Sequence, residues 1–270
     1  MPAEENRNWY ETPLYYDIVF AEDTEKEADF LETMHRRHGR GASEAKPGAL
    51  LEPACGSGRL VAAMAHRRWT VSGFDLSPEM LDFARERLRA EGLKATLWED
   101  RMESFAVPGT KKPAPRFDLA HCLVSTFKYL PTEAAAAACL RGVAAHLKCG
   151  GLFVLGVHLT DYANEKILRE RWVGARRGTR VVCNTRTWPA DRKTRVERLR
   201  TRLQITRGGR TRIQETHWQF RSYNAAQMRA LLKKAPEFEL VACYDFTYNP
   251  GETRRLDDEY SDIVLILRRV

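Results

Sequence analysis

From Pro47 onward the chain alternates short apolar runs with stretches that are apolar at helical spacing. Residues 48–51 are a short apolar run led in by Pro47, and behind the glycines at 56 and 58 a helical pattern extends from Arg59 to about Arg68. A second apolar run, 70–74, closes on Asp75. Ser77-Pro78-Glu79 then has the chemistry of a helix start, with Ser77 as N-cap and Pro78 at the first helical position. Met80, Leu81, Ala84 and Leu88 form its inward stripe, and Gly92 ends it. Runs at 95–98, 117–124 and 152–157 predict further strands; the second is nearly continuous in apolar residues, as in a parallel sheet buried on both faces. Between the last two, Thr132 caps an alanine-rich helix over 133–147 that Gly150 and Gly151 stop. Near the end, 222–232 predicts a helix, and 239–247 and 262–269 predict strands. Strand and helix alternating in this way predict an α/β protein built on a doubly wound sheet.

Between 160 and 223 the pattern changes. Helical spacing near 162–172 gives way to three strand-like runs, 180–188, 195–207 and 210–222. Gly208-Gly209 is a two-residue hairpin signal and Pro189-Ala190-Asp191 marks the other turn, so an antiparallel insertion is expected. Alternation separates its faces: Arg198, Arg200 and Arg202 share one side, Leu199, Leu203 and Ile205 the other, while Ile213, Glu215 and His217 oppose Gln214, Trp218 and Phe220. The arginine face reads either as a solvated surface that discourages edge pairing or as a dock for an acidic substrate. Ahead of the first strand lie an aromatic cluster within 4–20 (Trp9, Tyr10, Tyr15, Tyr16, Phe20), a helical stretch over 23–37 with acids first and bases last, and a linker over 40–47. Residues 107–115, with Lys111 and Lys112, read as a surface loop.

The glycine turn supplies the first chemistry. Strand, glycine turn and helix bring backbone N–H groups and a helix N-terminus to a ligand, and bare Gly56 and Gly58 let it approach closely. Asp75 follows by about the 20 residues at which an acid reaches a ribose. A dinucleotide fingerprint needs a third glycine where Val61 stands, and Glu52 beside the loop would repel a pyrophosphate yet receive an ammonium group. S-adenosylmethionine has a ribose, an ammonium group and no phosphate.

These residues resemble class I S-adenosylmethionine-dependent methyltransferases. Glu52-Pro-Ala-Cys-Gly-Ser-Gly-Arg59 is similar to their first motif, Phe74-Asp75-Leu-Ser-Pro-Glu-Met80 to the second and Glu99-Asp100-Arg-Met102 to the third. Leu147-Lys-Cys-Gly-Gly151 is similar to their Leu-Lys-Pro-Gly-Gly signature, with Cys149 in place of proline. The resemblance implies a Rossmann-like seven-stranded sheet whose last strand is antiparallel, here with a small antiparallel β cap inserted after strand five. It divides the chain into an N-terminal segment over the active site (1–45), a cofactor-binding core (46–160 and 223–270) and a cap (161–222). It implies cofactor contacts at Tyr15, Glu52, Ala54, Cys55, Gly56, Gly58, Arg59, Asp75, Leu76, Met80, Asp100, Arg101, Met102 and Leu123.

Ligands in such folds bind beyond the carboxyl ends of the strands, which puts Ser125, Thr126, Phe127 and Tyr129 beside the substrate. His158, at the carboxyl end of the fifth strand, is the leading candidate base for an oxygen nucleophile, with Tyr16, Tyr15 and His217 as weaker ones, whereas a nitrogen nucleophile already neutral needs no base; His158 and Tyr16 are the catalytic candidates. Tyr244, Phe246 and Tyr248 add aromatic wall. The Asn/Asp-Pro-Pro-aromatic motif of base-amine methyltransferases is replaced by Val-Ser-Thr-Phe, and Cys122 reads as core.

With 270 residues, 43% of them hydrophobic, the chain has enough apolar material for a sizeable core. Its net charge of +8 suggests an acidic partner, whether nucleic acid, a phosphorylated metabolite or counterions. The start lacks a basic region and an apolar core, and no later stretch nears the roughly 20 apolar residues of a membrane span, so a cytoplasmic protein without membrane contact is expected. The six cysteines show neither CxxC spacing nor His pairing, which predicts reduced thiols and no metal. The expected activity is methyl transfer to nitrogen or oxygen of a small molecule. The rivals are an RNA methyltransferase using the basic insertion and a non-catalytic partner subunit.

Overall fold

A computed structural model describes residues 4–40, 47–109, 114 and 116–270. Most of the expected linker at 40–47, and Lys111 and Lys112, lie outside the described residues. The chain opens with β1 (Glu4–Asn6), α1 (Pro13–Phe20) and α2 (Thr24–His38). There follow β2 (Ala49–Pro53), α3 (Arg59–His66), β3 (Thr70–Asp75), α4 (Pro78–Ala90), β4 (Thr96–Glu99), β5 (Phe117–Cys122), α5 (Glu133–His146) and β6 (Leu147–His158). Four strands come next, β7 (Leu168–Arg176), β8 (Thr179–Thr187), β9 (Val196–Arg207) and β10 (Arg210–Arg221). The chain closes with α6 (Ala225–Leu232), β11 (Phe238–Tyr244) and β12 (Asp262–Arg269).

The larger sheet has the order β11-β12-β6-β5-β2-β3-β4. Its strands are parallel except β12, which runs antiparallel to both β6 and β11. Neighbouring residues of one strand serve opposite faces: Leu51 joins the cluster built with α5 and α6, while Leu50 joins that built with α2, α3 and α4. Helix starts follow local chemistry. Ser77 Oγ accepts from Met80 N at 3.2 Å, Thr132 Oγ1 accepts from Ala135 N at 3.0 Å, and Asn224 and Gln227 form a capping box.

The second sheet, β1-β10-β9-β8-β7, is antiparallel apart from β1, which pairs parallel with β10. Gly208 and Gly209 both have positive φ and close the β9–β10 hairpin. Residues 168–176, which overlap the stretch expected to be helical near 162–172, form strand β7 instead. Arg177 and Gly178, both at positive φ, close a second tight hairpin, and pairing with β8 overrides a sequence rich in helix formers. As an outer strand with mostly exposed side chains, β7 shows no apolar alternation to reveal it. On the inner face of this sheet α1 buries Ile18 and Val19 against Val181, Cys183, Leu203 and Ile205. Ion pairs tie the sheet to the core, Lys128 to Glu197 at 2.6 Å and Arg195 to Glu133 at 3.1 Å.

Candidate active site

At the carboxyl end of β2 the backbone turns sharply: Ala54, Gly56 and Gly58 all have positive φ. A side chain at Gly58 would put its Cβ 2.6 Å from Ala84 Cβ, so only glycine lets α3 and α4 approach here. Cys55 N donates to the Phe74 carbonyl at 2.9 Å, locking the loop to β3. Asp75 organises the rest: Oδ2 accepts from Gly56 N at 2.8 Å and Oδ1 from Ser77 N at 2.9 Å. Burial raises its carboxyl above the usual aspartate range, and those backbone donors pull it partly back. Across the pocket, at the end of β5, Val124 and Ser125 are also left-handed, a conformation costly for a β-branched residue and characteristic of functional sites.

Beneath this loop lies a small cavity of about 30 Å³, walled by Tyr16, Glu52, the 53–57 backbone, Arg59, Leu60 and residues 122–124 and 126. Glu52 is 7% exposed, and its Oε2 has no hydrogen-bond partner. His121 Nε2 stands 3.7 Å away, and both His121 ring nitrogens also lack hydrogen-bond partners. Burial pushes the Glu52 carboxyl well above its ordinary range and the His121 imidazole down to about 3. Val61 N–H reaches the carboxylate, while Oε2, buried without a donor, is free to receive an incoming ammonium group.

Farther along, Leu76 is 52% exposed beside Asp75. Asp100 N donates to the Asp75 carbonyl at 3.1 Å, and the Asp100 carboxylate is oriented by Arg101 N at 2.8 Å and Ala106 N at 2.9 Å. Met102 packs on the core, Arg101 points to solvent near Glu103, and Met80 is fully buried.

A larger cleft of about 360 Å³ adjoins this pocket and shares Tyr16, Arg59, Val124 and Thr126 with it. Trp9, Tyr10, Tyr16 and Phe20 line it from the N-terminal segment, Tyr129 from the core, and Trp172, Trp218 and Phe220 from the second sheet. The rings interlock: Trp9 meets Tyr16 edge-on at 5.2 Å, and Tyr10 Oη donates to Tyr129 Oη at 3.0 Å. Burial raises the phenols of Tyr10, Tyr16 and Tyr129 above the ordinary range, so they stay neutral. In a chain of net charge +8, the cleft collects Glu22, Asp23, Glu27, Glu170 and Asp262 against Arg59 and His158. Arg59 is itself paired with Glu27.

His158 stands at the floor of the cleft. Its backbone N donates to Ser125 Oγ at 2.7 Å, its ring packs 4.9 Å from Phe246, and Nδ1 is hydrogen-bonded to Asp262 Oδ1. That bond holds the Asp262 carboxyl below the usual range and leaves Nε2 as the ring's proton-accepting atom.

Several expected positions stand elsewhere. Tyr15 lies outside both cavities: its hydroxyl accepts from Arg212, whose guanidinium covers the ring at 4.9 Å. Successive helical residues diverge by about 100°, so only one of two adjacent tyrosines faces the glycine loop, and it is Tyr16. Phe127 and Tyr244 are fully buried in the core, while Ser125, Thr126, Tyr129, Phe246 and Tyr248 line the cleft. His217 is exposed on the outer face of the second sheet near Trp188 and Arg198. Cys122 is buried, its thiol pushed up to about 12 by burial. Sequence reasoning missed Asp262 as the partner of His158, because 104 residues separate them. Trp218 carried a signal, its alternation with Gln214 and Phe220, that was read as a sheet face and not as a wall. Among the described residues no group of three metal-binding side chains occurs, and no helix is long and apolar enough to cross a membrane.

Residues 50–151 match the family described as "Methyltransferase domain". The chain is 32% identical over 143 residues to dTDP-3-amino-3,6-dideoxy-alpha-D-glucopyranose N,N-dimethyltransferase of Streptomyces fradiae, a match covering 52% of this chain and 50% of that protein. It is 29% identical over 117 residues to the putative methyltransferase YqeM of Bacillus subtilis (strain 168), covering 43% and 45%. The chain thus spans about half the length of these curated relatives. Among solved structures it superposes on Streptomyces venezuelae DesVI with a TM-score of 0.74 at 19% identity, covering 95% of this chain and 96% of that one. The sugar N-methyltransferase KedS8 from Streptoalloteichus sp ATCC 53650 gives a TM-score of 0.70 at 20% identity, covering 95% and 92%. At these identities the structural likeness establishes the fold.

Proposed function

We propose that the chain, whose residues 50–151 match a methyltransferase domain, is a class I S-adenosylmethionine-dependent methyltransferase and that it methylates an amino nitrogen of a small molecule. The observation that carries this reading is the shared wall: Tyr16, Arg59, Val124 and Thr126 bound both the glycine-loop pocket and the aromatic, carboxylate-lined cleft. Donor and acceptor sites therefore meet at one partition, which suits a reaction that needs two groups brought to about 3 Å with water excluded.

The pocket and the ends of β3 and β4 beside it together fit the cofactor in residue chemistry. Asp75 and Asp100 offer acceptors for a ribose and an adenine amino group, and Glu52 Oε2, which has no hydrogen-bond partner, offers one for an ammonium group. Bound there, S-adenosylmethionine supplies an electrophilic methyl group on a sulfonium. The chain's own residues do the rest. Aromatic faces and carboxylates attract a protonated amine. An ammonium group is not a nucleophile, so its proton must leave, and His158 Nε2, steadied through Nδ1 by Asp262, is placed to take it. The Streptomyces fradiae relative, an N,N-dimethyltransferase, supports nitrogen as acceptor. The arginine face supports nucleic acid less well, since Arg200 lies 3.3 Å from Glu215 and Arg202 3.9 Å from it. In this reading 1–45 and 161–222 build the acceptor wall while 46–160 and 223–270 hold the cofactor, and the six free thiols support a reducing, cytoplasmic setting. The test is a methyl-acceptor screen read by mass spectrometry, pairing each amine with its hydroxyl analogue. Methylation of amines alone supports the proposal, and methylation of the hydroxyl member alone overturns the choice of nitrogen.

A further inference from the structure

Asp17 lines neither cavity, yet its side chain is fully buried and meets three other segments of the chain at once. Oδ1 accepts from Ser57 Oγ at 2.7 Å and lies 2.5 Å from Arg87 Nη2, while Oδ2 lies 2.6 Å from Arg176 Nη1. Ser57 sits between the two glycines of the cofactor loop, Arg87 is on α4, and Arg176 ends β7. Burial works against the charge, but Arg87 and hydrogen bonds from Ser57, Arg87 and Arg176 outweigh it and hold the carboxyl below the ordinary aspartate range.

A second contact makes the same junction tight. A Cβ at Gly174 of β7 would stand 2.2 Å from the Ile18 carbonyl oxygen, so α1 rests directly on the β7 backbone one residue beyond Asp17. Both elements that meet here build the acceptor cleft, α1 through Tyr16 and Phe20, β7 through Glu170 and Trp172.

We propose that Asp17 is a positioning residue that fastens the glycine loop to α1 and β7, so that filling the cofactor pocket tightens the acceptor wall. The inference rests on the methyltransferase reading. A ligand that orders Ser57 favours the arrangement in which Oδ1 is doubly engaged, and that arrangement also holds Arg176. Residues 168–176 line no part of the glycine-loop pocket, so its ligand reaches them only through α1, which gives that pocket Tyr16 and the clasp Asp17; the Arg176 and Ser57 variants below separate the two routes.

Hydrogen exchange on the full chain, with and without S-adenosylhomocysteine, tests this. In the wild type, ligand should slow exchange at 54–60 and also at 168–176. In Asp17→Asn, which leaves two arginines without their acceptor, affinity should fall about tenfold, and at saturation the loop should respond while β7 does not. Arg176→Gln cuts only the arm to the second sheet, so it should keep affinity within about twofold and still lose the β7 response. Ser57→Ala, which cuts the loop arm, should lose it as well, so the test survives a poorly folded Asp17 variant. A β7 response undiminished in these variants, or a wild-type loop response without one in β7, overturns the clasp while leaving the methyltransferase reading intact. Absence of any ligand response in the wild type overturns both.

Discussion

The two cavities are built in different ways. The glycine-loop pocket takes nearly all its walls from two short segments, 52–60 and 122–126, with Tyr16 closing it. The aromatic cleft, the acceptor site in our proposal, is gathered from the N-terminal segment, Arg59, residues 124–129, the end of β6, four strands of the second sheet, the loop after β11 and the start of β12. A cofactor recognised by backbone N–H groups needs a fixed local conformation, and local conformation is written in consecutive residues. An acceptor recognised by ring faces and charges needs only that such groups arrive together, which any sufficiently stable arrangement of distant segments achieves.

The contrast predicts that substitutions separate cleanly into those that weaken cofactor and those that impair the acceptor step. The largest effect should come from Asp75→Ala. Charge-assisted hydrogen bonds contribute about 1.5 to 3 kcal/mol each, so losing two at the ribose should weaken S-adenosylhomocysteine by about 10² to 10⁴-fold in calorimetry. The variant also frees Gly56 N and Ser77 N, so part of that loss will reflect a slackened loop. His158→Gln belongs to the other class: turnover should fall about 10²-fold with cofactor affinity unchanged, and Asp262→Asn should follow in the same direction. If His158→Gln turns over like wild type, the amine reaches the site already neutral and the dyad only holds the floor together.

Those two residues also mark what could be read in advance. Asp75 announced itself by its spacing from Gly56 and by the helix start behind it, and the inner strands of the larger sheet appeared as apolar runs because burial on both faces demands them. His158 was visible as a polar residue at the end of such a run. Asp262, 104 residues away, was read only as the start of a strand, because no local pattern encodes which side chain a fold will bring alongside another. Strand β7 escaped for a related reason. Exposed on its outer edge, it owes its conformation to pairing with β8 and to the close approach at Gly174, neither of which leaves periodicity behind.

Smaller effects sharpen the division. Trp218→Ala removes a cleft wall that touches Trp9, Tyr10 and Tyr129, and should raise the acceptor KM about tenfold while leaving cofactor binding alone. Glu52→Gln should act in opposite senses on stability and binding. The folded-state carboxyl titrates above the ordinary glutamate value of 4.5, so its contribution to stability is complete below that value and is lost as pH rises through the raised one. Above that window the Gln variant should melt a few degrees higher without ligand, yet bind S-adenosylhomocysteine about tenfold more weakly. Thermal melts across pH, with and without ligand, check both halves. Least should follow from replacing Arg198, Arg200 and Arg202 together by Gln. With an amine acceptor, turnover should stay within about twofold, whereas an RNA acceptor would show a salt dependence of binding that flattens by about 0.7 to 0.9 in log–log slope per lost phosphate contact.

The central claim, that the glycine loop between β2 and α3 holds S-adenosylmethionine, is tested most directly by titrating the folded wild-type chain with S-adenosylhomocysteine in a calorimeter. Binding with a micromolar dissociation constant, about −8 kcal/mol in free energy, is the result expected from a pocket holding Glu52 with the acceptors Asp75 and Asp100 at the neighbouring ends of β3 and β4. No heat at ligand concentrations up to the millimolar range, with neither the demethylated product nor S-adenosylmethionine itself, would contradict it.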